Sequence, residues 1–65
     1  MSLDYINHIL KYIEHNLDIH EVETLNFQSL KGDLVCYLKA PNVELYLTYD
    51  SVKVRKFDMN MNELN

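Results

Sequence analysis

Apolar residues in this chain first recur every three to four positions and then, from about Val22, every second position. The first spacing belongs to a one-sided helix and the second to half-buried strands. A chain that carries both, in that order and without a second helical segment, is predicted to be α+β, with an N-terminal amphipathic helix packed on one face of a three- or four-stranded antiparallel β-meander.

At 100° per residue, Leu3, Ile6, Ile9, Leu10, Ile13 and Leu17 fall in a sector of about 120°, the width of a core-facing stripe. Leu10 and Ile13 lie mid-stripe and are expected to be buried. Tyr5 and Tyr12 flank the stripe, and Asp4, His8, Lys11, Glu14 and His15 take the solvated side. Ser2 suits an N-cap, and Asp4 complements the helix dipole. The helix should end at Asn16 or Leu17.

Leu25 and Phe27 open the strand pattern, and Lys31-Gly32-Asp33 supplies a hairpin turn. Leu34, Cys36 and Leu38 alternate through the second strand, which Pro41-Asn42 ends. Leu45 and Leu47 carry the third, Asp50-Ser51 makes a tight connection, and Val52 and Val54 begin a fourth. Such short connections force antiparallel neighbours, because a parallel return needs a crossover of about a dozen residues. All nine of these strand residues share one phase, which is assigned to the helix. Residues 1–58 form a single domain on this reading, and 59–65 form a loosely held tail without period or turn chemistry.

Length limits what such a sandwich can do. A chain of 65 residues supports one small core, near the lower limit for independent folding, so a partner chain would add needed apolar area. With 48% apolar and 25% charged residues, it is expected to fold rather than stay disordered. The sole cysteine, Cys36, has no disulfide partner and lies in phase with the core leucines, which suggests a buried thiol and a reducing compartment. Residues 1–13 lack the uninterrupted apolar run of a signal peptide, and no stretch reaches the roughly 18 apolar residues of a membrane span. A cytoplasmic protein is expected. One residue each of Gly, Ala, Arg and Pro, against seven Asn and five each of Lys and Tyr, indicates AT-rich coding. Such a bias suits a low-GC bacterium, or a phage or mobile element carried in one.

A single helix covers one side of the sheet and leaves the other carrying Val35, Tyr37, Tyr46, Arg55 and Phe57, with Lys39, Glu44, Thr48 and Lys53 among them. Aromatics with an arginine are the composition of an interaction surface. This points to a non-catalytic protein-interaction module, self-associating through the open face or binding a host protein; otherwise the C-terminal tail, with Met59, Met61 and Leu64, folds over part of the face. The alternative places single-stranded nucleic acid on the aromatics, with Lys39, Lys53, Arg55 and Lys56 taking the phosphates. A formal net charge of −4 and Glu44 on the same face oppose it.

Glu14, Asp18, Glu21 and Glu23 form an acidic stretch without lysine or arginine. Such a patch can be a solvated surface or can dock on a basic, nucleic-acid-handling protein in competition with its phosphate ligand, in the manner of a small phage inhibitor. No metal site is expected: His8 and His15 are two helical turns, about 10 Å, apart, and Asp4 with His8 makes only a two-ligand fragment. His20 is read as a loop residue. Cys36 has no evident histidine partner, and one glycine cannot build a phosphate loop. Neither catalysis, a cofactor nor a small-molecule substrate is therefore expected.

Overall fold

The computed structural model describes residues 3–65, so the Ser2 cap lies outside the described residues. Helix α1 spans Leu3–Asn16, ending at a predicted stop. A short 3₁₀ turn follows at Ile19–Glu21, capped by the Asp18 carboxylate, which accepts the His20 N–H at 2.9 Å. Strands β1 (Thr24–Leu30), β2 (Asp33–Ala40), β3 (Val43–Tyr49), β4 (Val54–Phe57) and β5 (Glu63–Leu64) form one antiparallel sheet in chain order. The protein is thus a two-layer α+β fold with five strands, more than the three or four that periodicity indicates.

Turn chemistry fixes the meander. Lys31 and Gly32 both have positive φ (53° and 86°), as a two-residue type I′ hairpin requires, and the glycine meets that need without strain. Leu30 pairs with Asp33 across it. At the next turn Pro41 precedes Asn42, whose φ of 66° gives the backbone of a type II turn, and Ala40 pairs with Val43. The third connection is longer than Asp50-Ser51. Tyr49 pairs with Val54, so the loop takes in Val52 and Lys53, with Ser51 at a φ of 73°. The Asp50 carboxylate accepts the backbone N–H groups of Val52 and Lys53, both at 3.0 Å. Val52 is consequently not an inward strand residue; it is 84% exposed.

Register puts Leu25, Phe27, Leu34, Cys36, Leu38, Leu45, Leu47 and Val54 on one face, in the phase alternation implies. Ile9 and Ile13 of α1 close a buried cluster with Cys36, Leu38, Ala40 and Leu47. The stripe is nevertheless turned from its expected centre. Leu10 is 39% exposed and Leu3 75%, while Tyr5 and Tyr12 pack against the core. At 100° per residue this is a rotation of about 50° toward the tyrosines. Specific contacts hold it there: the Tyr5 hydroxyl donates to the Leu34 carbonyl, and its ring meets Tyr49 edge-on at 6.2 Å. His8 is exposed, as expected, but one face of its ring stacks on the same Tyr49 ring at 4.1 Å and 14°, with Nδ1 donating to the Asp4 carbonyl at 2.8 Å. Burial pushes the Tyr5 hydroxyl above the usual tyrosine range.

The segment after Asp58, expected as a loose tail, returns as β5. Its turn chemistry is carried by Asp58, whose carboxylate accepts the N–H groups of Asn60 and Asn62 (2.9 Å each), while Met61 takes a φ of 65° and donates its N–H to the Asp58 carbonyl. No helix among the described residues is long and apolar enough to cross a membrane.

Candidate interaction surface

Strand alternation sends every second residue of β1 to β4 away from the helix. Register then makes rows of them. Asn26, Tyr37, Tyr46, Phe57 and Glu63 lie opposite one another across the five strands, so three aromatics stand side by side on β2, β3 and β4. The Tyr37 and Tyr46 rings are 5.7 Å apart and tilted by 58°. In a parallel row Gln28 faces Val35 and Thr48 faces Arg55. The five residues singled out from the sequence, Val35, Tyr37, Tyr46, Arg55 and Phe57, therefore occupy two neighbouring rows of one face.

They do not share one environment. Tyr37, Tyr46 and Phe57 are half-buried. The Tyr37 hydroxyl donates to the Glu44 carboxylate, a bond that holds the phenol above its ordinary pKa. Val35, by contrast, is only 3% exposed although no helix lies over it. It shares the lining of a cleft of about 590 Å³ with Thr48, Arg55, Phe57 and Met61, the last supplied by the returning C-terminal segment. Met61 thus shares the cleft with Val35, while Tyr37 and Tyr46 are not among its lining residues.

Arg55 fastens this C-terminal segment. Its Nε donates to Glu63 Oε2 at 2.9 Å, its Nη2 donates to Oε1, and its Nη1 lies 3.7 Å from Asp50 Oδ2. The guanidinium also stands 5.9 Å from the centre of the Phe57 ring, within cation–π range. Donation from Arg55 holds the Glu63 carboxyl below the usual carboxylate range. The Lys53 and Val52 N–H groups do the same for Asp50, and the Asn62 N–H does so for Asp58. Asp50 and Glu63 belong to this arrangement and were not expected from the sequence, whereas Met61 comes from the C-terminal segment expected to fold over this face. The available signal was Asp58 with Asn60 and Asn62, residues that favour turns.

The four cations considered for phosphate binding are dispersed. Arg55 is engaged by two carboxylates, Lys39 stands opposite Glu44, and Lys53 is in the β3–β4 loop. Lys56 pairs with Leu47 and so lies in phase with the helix side. The acidic residues Glu14, Asp18, Glu21 and Glu23 are all exposed, but Asp18 caps the 3₁₀ turn and Glu14 lies 4.0 Å from the His15 ring. Among the described residues no three His, Cys, Asp or Glu side chains are grouped as metal ligands. Cys36 is fully buried, and burial pushes its thiol up to about 11. Comparison with protein-family models, with curated proteins and with solved structures finds no match.

Proposed function

We propose that the protein is a non-catalytic protein-interaction module, acting in a reducing, cytoplasmic setting, that docks a protein partner on the Tyr37–Tyr46 end of its uncovered sheet face. The observation that carries this reading is the aromatic row itself. Tyr37, Tyr46 and Phe57 sit side by side on the face turned away from the helix, with Asn26, Lys39 and Glu44 as the polar surround of the Tyr37–Tyr46 pair. Tyrosine suits such a contact, since it brings large area with little side-chain entropy and keeps a hydroxyl for hydrogen bonding. The dispersal of cations disfavours nucleic acid, whose affinity rests on phosphate neutralisation.

A second copy of the chain is the partner that can be tested first. Amide chemical shifts followed over a concentration series should move at Asn26, Tyr37 and Tyr46, and Tyr46→Glu should abolish the movement. Shifts produced at the same amides by a single-stranded oligonucleotide, weakening steeply with salt, would replace this reading by the nucleic-acid one.

A further inference from the structure

Sheets end in strands with unpaired backbone groups, and proteins commonly guard such edges with charge, proline, bulges or brevity. The two edges of this sheet are unequal. On one side β5 is two residues long and is held by the Arg55–Glu63 pair. On the other, β1 runs for seven residues, Thr24-Leu25-Asn26-Phe27-Gln28-Ser29-Leu30, with neither a charge nor a proline. Among the hydrogen bonds of the described residues, those of the β1 backbone go only to β2. Leu25 is an exposed large apolar residue on this strand.

We propose that β1 pairs antiparallel with β1 of a second copy, joining two five-stranded sheets into one. Full overlap of a strand running from 24 to 30 with its symmetry mate sets a single register, in which residue i faces residue 54 − i. Phe27 then meets Phe27 of the other copy on the two-fold axis, and Asn26 meets Gln28. The charges that flank the strand become complementary in the same register: Glu23 of each copy comes to the end occupied by Lys31 of the other, twice by symmetry. Glu23 and Lys31 are both exposed, and neither has an ion pair within its own chain among the described residues. Because i and 54 − i have the same parity, side chains of one phase meet their own kind. Both helices fall on one side of the joined sheet and both Tyr37–Tyr46 pairs on the other. This contact uses an edge and not the sheet face, so it goes beyond the docking role proposed above and would double the surface available to it.

Sedimentation equilibrium of the full chain at about 0.15 M salt, with charge-reversal variants, tests the pairing. The parent should pass from monomer toward dimer between about 10 µM and 0.5 mM, the range of a small interface. Glu23→Lys alone and Lys31→Glu alone each place like charges at both ends and should weaken the dimer about tenfold or more. The double variant should regain the parent's affinity, and an equimolar mixture of the two single variants should form a heterodimer. Circular dichroism of each variant controls for folding, since both positions are exposed. A parent that stays monomeric at about 0.5 mM overturns the pairing. So does a dimer indifferent to both reversals. Loss of the dimer with Tyr46→Glu alone would instead place self-association on the sheet face.

Discussion

The two faces of the sheet are closed by different means. On the helix side Ile9 and Ile13 meet Cys36, Leu38 and Leu47 in a cluster that excludes water completely, and the interactions are apolar and non-directional. On the far side Val35 is the one buried residue among the described residues, and it shares a cleft with Met61 of a short return of chain held by the exposed ion pairs of Arg55 and by the Asp58 turn. Stability should therefore reside in the first face. The second should open with modest changes of charge, which is the property expected of a surface that meets partners.

The largest effect that can break this contrast comes from the helix. Ile13→Ala or Leu47→Ala should lower stability by about 2–5 kcal/mol, a large fraction of what so small a domain possesses, whereas Leu10→Ala should lower it by no more than about 1 kcal/mol. Urea denaturation measures all three. Equal losses at Leu10 and Ile13 would return the helix to the orientation that the leucine and isoleucine stripe alone implies.

Cys36 reports on the same face kinetically. With its thiol at about 11 it carries about a hundredfold less thiolate at neutral pH than an ordinary cysteine, and burial adds to this. Labelling by a thiol reagent should proceed only as fast as the native protein opens, and rapid, complete labelling without denaturant would show the helix layer to be loosely seated. On the far face Val35→Ala should lower stability by about 1–3 kcal/mol, less than Ile13→Ala but well above a surface substitution. A neutral outcome would mean that the C-terminal return does not exclude water from it.

The smallest effect sharpens the contrast by pH. Asp50, Asp58 and Glu63 are held below the usual carboxylate range, so the native state binds fewer protons than the unfolded chain as acid is added. Their contribution is complete above the ordinary carboxylate pKa of about 4 and is lost as pH falls through and below it. Amide exchange should accordingly rise first at Asn60 to Glu63 in that window, with Ile9 and Ile13 still protected. Arg55→Gln should produce the same local release at neutral pH. Simultaneous loss of protection in both regions would show the two faces to be one cooperative unit.

By itself the sequence determined the helix and the first four strands, their antiparallel order and the phase of each. A period of 3.6 or 2 is a local property, and Gly32 and Asn42 mark turns through backbone freedom that needs no distant partner. The same phase placed Tyr37, Tyr46 and Phe57 on one face before any contact was known. What only the tertiary structure decided depends on residues far apart in the chain. Helix rotation followed from Tyr5 reaching Leu34 and from His8 stacking on Tyr49, contacts that a count of leucines and isoleucines on a helical wheel does not contain. Val52 left the core because Asp50 gathers a four-residue loop around its carboxylate, although alternation continues through that valine. The fifth strand, finally, needed Arg55 to find Glu63 eight residues later. A two-residue strand has too short a pattern to announce itself, and an ion pair has no period.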